Sequence, residues 1–392
     1  MKDFFYNLVR FINICYNHCS LPTNLLNGII SPIVKDKKGN ITDSNNYRPI
    51  MQSSNILKLI ELHLLTFLEE KLNINEHQFG FVSGVSDAAF VLKEVIHSYI
   101  HNDSCIYANF VDLSKAFDLV DHKILIDKLV KCNVPIDIIR ILGVYLRNQL
   151  ACIRFGSSYS DWHYVNLGVR QGGILSPLLF KFYIDSILSN INKVDFGCRF
   201  GISRLNGIAY ADDLVLIAKS SHDLNILFCQ LDNDIRSLRL KINEKKCKVM
   251  IFQKRKNYHN INEMTLNNTK FEVVSSYKYL GHHITYNLDD EVDIKFKLNN
   301  FYSSFYSMLR NFKGLNLDAL MYLFNSLCVQ QYGVPLWNTS NLYSKPYFRA
   351  FEVAYSNSLK TMLGCSKFVS SHLVAETCNQ LLLKHGICIN TG

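Results

Sequence analysis

Two adjacent carboxylates inside an apolar run restrict this 392-residue chain more than any other feature. Tyr210-Ala211-Asp212-Asp213 follows Ile208-Ala209 and precedes Leu214-Val215-Leu216-Ile217-Ala218. Such a run predicts a buried strand pair, or a hairpin with Asp-Asp at its turn. Charged pairs are rarely set in such surroundings unless something positive sits on them. A divalent cation would offset the cost, and acidic oxygen ligands suit magnesium. For the dipeptide alone, an ordinary Asp-Asp turn is the competing reading.

A second acidic cluster lies upstream, in Phe110-Val111-Asp112-Leu113-Ser114-Lys115-Ala116-Phe117-Asp118. Residues 106–111 read as a strand that delivers Asp112 at its C-terminal end. Phe117, Val120, Ile124, Leu125 and Leu129 then recur at helical spacing, predicting a helix behind it. One Asp from a strand end and two from a hairpin turn can converge on a pair of metal ions. Nucleotidyl transfer uses two ions about 3.5–4 Å apart, one at the attacking hydroxyl and one at the leaving phosphate. Between the clusters stands Gly168-Val169-Arg170-Gln171-Gly172-Gly173-Ile174-Leu175-Ser176-Pro177-Leu178-Leu179-Phe180. A Gly-rich turn capping a helix explains its glycines and Ser176-Pro177. It does not explain Arg170-Gln171, which the sequence places at the mouth of a site.

Taken in order, these blocks resemble the reverse transcriptase family, most closely the polymerases of non-LTR (LINE-like) retrotransposons. Asn46-Tyr47-Arg48-Pro49-Ile50 and Gln78-Phe79-Gly80-Phe81 resemble the family's fingers motifs. Phe110 to Asp118 is similar to the first catalytic motif, Gly168 to Phe180 to the Gln-Gly-x-x-Leu-Ser-Pro motif, and Tyr210 to Asp213 to the second catalytic motif. Leu240 to Lys246 resembles the segment that follows, and Tyr279-Leu280-Gly281 the primer grip. One tetrapeptide is weak evidence, whereas seven motifs in the right order are strong.

The resemblance implies an α+β right-hand polymerase with helical and β-hairpin fingers, a split βαβ palm and a helical thumb. Residues 1–105 are expected in the fingers, 106–119 in the palm and 120–173 in the fingers again. Residues 174–285 would form palm and primer grip, and 286–392 a thumb with a C-terminal helical region. The implied activity is RNA-directed DNA synthesis, with the primer 3′-hydroxyl as nucleophile. Asp112, Asp212 and Asp213 would be the catalytic, metal-binding carboxylates, with the Leu113 carbonyl as a further ligand. The ions would be two magnesium ions, with manganese as the alternative. Lys35 and Arg48 would clamp the triphosphate, the Ser114 and Lys115 amides would cradle phosphate oxygens, and Gln171 would line the pocket near the sugar. Phe117 would lie under the deoxyribose, and Lys246 would serve as general acid toward pyrophosphate. Implied partners are an RNA template, a DNA primer, their hybrid and deoxynucleotides. A near-A-form hybrid is recognised by shape and backbone.

Composition agrees with less specificity. Apolar residues make up 48% and charged ones 19%, which excludes a disordered chain, and the net charge of +9 favours a polyanionic partner. Basic residues cluster from Lys241 to Lys256, where a solvated edge is the competing reading. The 12 cysteines are scattered through apolar segments, so they read as reduced, buried small hydrophobes. Cys15, His18 and Cys19 lack a second ligand pair, and Cys378, His385 and Cys388 do not match a zinc-knuckle spacing. No apolar stretch is long enough to span a bilayer and no signal peptide is evident, so the expected setting is intracellular, in cytoplasm and nucleus.

The chain departs from the family pattern in three places. Val82 stands where a basic residue is usual, the stretch Gly84-Val85-Ser86-Asp87 is shortened, and Cys247 replaces a Thr or Ser. Endonuclease, terminal zinc knuckle and RNase H regions are not recognised, so a polymerase core or a fragment of a degraded element is expected. The competing functions are a catalytically silent nucleic-acid-binding remnant, a viral RNA replicase and a group II intron maturase. Replicases commonly carry Gly-Asp-Asp and polar groups near the sugar, and a maturase should carry a basic extension beyond the thumb.

Overall fold

The computed structural model describes residues 2–81, 86–201, 203–254, 261–329, 336–337 and 346–378. The shortened segment after Phe81 lies largely outside these residues, as do Arg255 and Lys256. The chain divides into two compact units, the first comprising 1–88, 107–249 and 263–272, the second 89–106, 250–262 and 273–392.

The strands in chain order begin with β1 (Gly28–Val34), β2 (Tyr47–Gln52), β3 (Ile106–Asp112), β4 (Leu150–Phe155), β5 (Ser158–Tyr159) and β6 (His163–Tyr164). They continue with β7 (Arg199–Phe200), β8 (Ser203–Arg204), β9 (Gly207–Tyr210), β10 (Asp213–Ala218) and β11 (Lys248–Phe252). The last are β12 (Glu263–Leu266), β13 (Thr269–Val273), β14 (Ser276–Tyr279) and β15 (His282–Thr285).

The sheet that carries the acidic residues has the order β12-β13-β11-β3-β10-β9. Its centre is the β-α-β-β-α-β arrangement: β3, helix Ser176–Lys193, β9, β10, helix Ser221–Ser237 and β11. Leu214 to Ala218 are all buried, as a strand paired on both edges and covered by helices requires. The covering helix Ser176–Lys193 buries Leu178, Leu179, Phe182, Tyr183, Ile187 and Ile191. Pro177 occupies its first turn, where the missing N–H costs nothing. Ser220 caps the second helix by accepting from the Asp223 amide.

The β1–β2 hairpin pairs antiparallel from Ile29↔Gln52 to Val34↔Tyr47, and β4 joins β1 in parallel. The 35–46 loop joins β1 and β2. Asn46 folds it back, accepting from the Asp36 amide and donating to the Asp36 carbonyl, both at 2.9 Å.

Behind Asp112 the single helix expected from the spacing is broken in two. A 3-10 turn spans Ala116–Leu119, Val120 is extended, and the α-helix starts at His122. Asp121 causes the break: its side chain accepts from the Lys123 and Ile124 amides and so begins a new helix there.

The second unit holds the β14–β15 hairpin and helices Glu291–Asn311, Leu317–Phe324 and Pro346–Met362. Phe301, Phe305 and Met308 are core with Phe324, Trp337 and Phe351, whereas Phe312 is 40% exposed. Asp293 is buried there and receives hydrogen bonds from Trp337 Nε1 at 2.7 Å and from Lys297. Burial pushes its carboxyl up, but His282 and Lys297 together hold it well below the usual range.

Candidate active site

The antiparallel register sets Asp213 directly opposite Asp112, and Ala211-Asp212 form the two-residue turn between Tyr210 and Asp213. Three carboxylates therefore sit at one end of the sheet and line one cleft. Also lining it are Lys35, Arg48, Leu113, Ser114, Lys115, Phe117, Gln171 and Lys246, all within the first unit.

The turn is braced from outside the hairpin. Gln78 Oε1 accepts from the Ala211 amide at 2.9 Å and from the Gly80 amide at 3.0 Å, while Phe79 N–H donates to the Ala209 carbonyl at 2.8 Å. Ala211 is held at φ 54°, a left-handed conformation that a non-glycine residue adopts only when its neighbours enforce it. Gly80 packs against that residue so closely that a Cβ would lie 2.4 Å from the Ala211 nitrogen. Gly80→Ala should therefore displace the Asp212 turn and, if the cleft carries the primer extension that the motifs imply, lower it by about 100-fold, the scale of a 1 Å misplacement at a reacting centre. Steady-state extension at the wild-type rate by a folded variant would show that the brace is dispensable.

Like charge is concentrated here. Burial first, then Asp212 and Asp112, push the Asp213 carboxyl up to about 6, against Lys246. Asp212 is raised by burial and by Asp112, opposed by its own amide, Arg48 and Lys246. Lys246 Nζ lies 3.5 Å from Asp112 Oδ2 but is 67% exposed, so the pair adds little stability. The donor set is oxygen only, which fits a hard divalent cation. Among the described residues no group of three or more Asp, Glu, His or Cys side chains is placed to hold a metal ion by itself. An open set of this kind suits an ion that also binds water and substrate phosphates.

The charge arrangement fixes a pH dependence. A carboxyl whose folded pKa is raised binds more protons when folded, so stability falls as pH rises through the interval up to about 6, and the cost is full above it. Added divalent ions should raise Tm by about 2–5 °C at pH 7.5, and this gain should shrink below pH 6 as protons compete. Differential scanning fluorimetry at both pH values checks this; a gain that is the same at pH 5 would remove Asp213 from the ion site.

Several expected contacts are relocated. The Ser114 amide cannot cradle phosphate, because it donates to the Lys241 carbonyl at 2.8 Å. That bond and Asn243 N–H to the Asp112 carbonyl, also 2.8 Å, zip residues 241–243 alongside 112–114 and bring Lys246 to the cleft. The free donors are the Lys115 and Ala116 amides, which reach no acceptor among the described residues, with Lys115 left-handed at φ 48°. They open a 3-10 turn rather than an α-helix. The Leu113 carbonyl likewise accepts no backbone bond among the described residues. Arg170 is among the residues that line the cleft. It is buried, donates to the Leu26 carbonyl at 2.5 Å and packs over Tyr145. Lys35 Nζ donates to the Asn45 carbonyl at 2.9 Å within its own loop, and Arg48 is exposed. Phe117 stacks on Phe180 with centroids 4.3 Å apart and meets the edge of Phe81.

Sequence reasoning missed the structural roles of Gln78, Glu61 and Asp118. Glu61 is fully buried and accepts from the Ile174 amide at 2.7 Å and from Tyr145 Oη at 2.8 Å, which pins the Gly-rich loop. A charge inside the apolar helix Asn55–Lys71 was the available signal. Asp118 accepts from Gln171 Nε2 at 2.7 Å. Burial pushes its carboxyl up, and Gln171, Lys115 and Lys35 oppose that. Tyr279, in the second unit, is buried, and Leu280-Gly281 form the β14–β15 turn with φ 45° and 79°.

This is the fold of an α+β, right-hand polymerase. The sequence matches the family described as reverse transcriptase (RNA-dependent DNA polymerase) over residues 35–284, and the chain belongs to that family, with relatives from non-LTR retrotransposons. It is 31% identical over 206 residues to the Pol polyprotein of type-2 retrotransposable element R2DM of Drosophila melanogaster, covering 52% of this chain and 19% of that protein. The type-1 element R2 polyprotein of Nasonia vitripennis is 24% identical over 272 residues, 67% of this chain and 26% of that one. A probable RNA-directed DNA polymerase from the Drosophila melanogaster X-element is 35% identical over 165 residues, 40% of this chain and 18% of that protein. The chain thus spans about a fifth to a quarter of these relatives. Among solved structures, apo telomerase from Candida tropicalis superposes with a TM-score of 0.50 at 12% identity, covering 92% of this chain and 63% of that one. Reverse transcriptases work with divalent metal ions. No helix among the described residues is long and apolar enough to cross a membrane.

Proposed function

We propose that this chain is the polymerase core of a non-LTR retrotransposon reverse transcriptase, extending a DNA primer on an RNA template with deoxynucleotides. The observation that carries the reading is the pairing of Asp112 with Asp213 beside the Asp212 turn, within one cleft that also presents Arg48, Lys35 and Lys246. Asp112, Asp212, Asp213 and the Leu113 carbonyl would hold two magnesium ions, or manganese in their place. Bound there, the ions would activate the primer hydroxyl and stabilise the leaving pyrophosphate. Arg48 supplies a planar fork of donors for the triphosphate, and Lys35 a point charge. The Lys115 and Ala116 amides add neutral donors, replacing the Ser114 amide in that role. Lys246, which lines the cleft, would give a proton to the departing pyrophosphate. Gln171 and Phe117 address the sugar. The cleft thus contributes positioning and charge stabilisation, which is what phosphoryl transfer requires of a protein.

Residues 106–119 and 174–285 are assigned to palm and primer grip, 1–105 and 120–173 to fingers, and 286–392 to thumb and C-terminal helical region. The Leu280-Gly281 turn would follow the primer backbone. Extension of a DNA primer on a homopolymer RNA template, with magnesium and manganese compared, tests the reading. Deoxynucleotide incorporation that needs the template and a divalent ion is expected. Template–primer binding without incorporation under either metal would favour a silent nucleic-acid-binding remnant. Binding should also weaken steeply between 50 and 200 mM salt, by about tenfold or more, because Lys and Arg release counterions from the phosphates. A filter-binding titration that is flat over this range would argue against backbone recognition.

A further inference from the structure

We propose that Asp293 is a positioning residue for the primer, a single carboxylate that ties the Leu280-Gly281 tip of the β14–β15 hairpin to the start of helix Glu291–Asn311. The role depends on that tip being the primer grip.

The hairpin needs support from outside itself. It pairs four residues on each strand, from Ser276↔Thr285 to Tyr279↔His282, and a two-stranded hairpin of that size is marginal in water. Its turn holds a bulky residue in the left-handed region, Leu280 at φ 45°, a conformation that persists only where neighbours enforce it. The two residues that leave the turn supply the hold. His283 N–H donates to Asp293 Oδ1 at 2.9 Å, and His282 Nδ1 lies 3.0 Å from Asp293 Oδ2. Asp293 and the His282 ring are fully buried, so water does not compete for the carboxylate.

The other side of the same group is fixed to the helix and its surroundings. Oδ2 accepts from Trp337 Nε1 at 2.7 Å and from Lys297, one helical turn on. The helix start is anchored in turn. Lys93 Nζ donates to Asp290 Oδ1 at 2.7 Å and to the Leu336 carbonyl at 2.6 Å, and Thr285 Oγ1 donates to the Asp289 carbonyl at 2.9 Å. All of these residues belong to the second unit. An ionised carboxylate only accepts, and each of the four groups that meet Asp293 can donate. Apolar side chains of the same volume could fill such a site at similar stability, whereas hydrogen bonds with fixed directions give the tip one position.

The test is steady-state primer extension by the full chain, with template–primer and nucleotide varied separately. In Asp293→Asn the oxygen stays where three donors meet it, so the amide nitrogen turns toward His283 N–H and that bond is lost. KM for template–primer should rise about tenfold, the scale of one charge-assisted hydrogen bond, while KM for the nucleotide stays within about twofold. Trp337→Phe removes a donor to the same carboxylate from the thumb side. It should lower Tm yet leave KM for template–primer within about twofold. A KM that rises equally in both variants makes Asp293 part of the thumb core and overturns the proposal. In the unmodified protein, the His283 amide should exchange its hydrogen within about tenfold of the amides of residues 297–301, as parts of one cooperative unit do. Faster exchange overturns the brace without requiring any variant to fold. Gly281→Val, which distorts the turn itself, separates the two readings. If it raises KM for template–primer while Asp293→Asn does not, the tip is a primer grip that Asp293 does not hold. If it changes nothing, the tip does not meet the primer, and the proposal falls with that assignment. No extension by the unmodified protein under either metal sinks the polymerase reading and the proposal together.

Discussion

Asp212→Asn is expected to lower primer extension by about a thousandfold or more, the scale of losing a group that balances charge at a phosphoryl-transfer centre. Template–primer affinity should stay within about twofold, because backbone recognition is carried by basic surface rather than by the carboxylates. The change should also raise the Tm of the metal-free protein. Asp212 is itself held up by burial and by Asp112, and its charge is among the causes that raise Asp213 to about 6. Removing one negative charge from a buried set relieves repulsion, so the effect on stability has the opposite sign from the effect on activity. That combination distinguishes a metal-holding carboxylate from a structural one, whose loss lowers both. Single-turnover extension and a thermal melt decide it, and a variant that extends normally sinks the two-metal reading.

Phe117→Val should shift sugar choice. The ring lines the cleft and is stacked on Phe180, so one face is supported by core while another part borders the cleft. On the proposed function, an aromatic wall at that position would leave no room for a 2′-hydroxyl and would exclude it by clash. Valine opens that space, and the ratio of ribonucleotide to deoxynucleotide kcat/KM should rise on the order of 10- to 100-fold, with deoxynucleotide use falling only moderately. Losing the stacked pair should cost about 1–3 kcal/mol of stability. An unchanged ratio in a variant with that stability loss would assign Phe117 to packing alone.

Much of the site was legible because its chemistry is local. Tyr210 to Ala218 announced a hairpin by placing two carboxylates in the middle of an apolar run, and the hairpin forms with Ala211-Asp212 as its turn. Asp112 at the end of an apolar strand was equally readable. Other features depended on partners far away in sequence. The Ala211 turn is held by Gln78, 133 residues away, and no local pattern marks that contact. The Ser114 amide looked free until the segment at Lys241 folded against it. Helical spacing from Phe117 to Leu129 was real, yet one side chain, Asp121, captured the amides after it and restarted the helix.

The division has one physical cause. Apolar periodicity and turn chemistry act between residues a few positions apart, so the sequence by itself determines which segments become strands, which become helices and where charges are set among them. Strand order, register and the capture of single amides and carboxylates are decided by packing between distant segments. The alignment of Asp112 with Asp213, the brace of Gln78 and the hydrogen bond between Gln171 and Asp118 all arise at that level, and only the tertiary structure decided them.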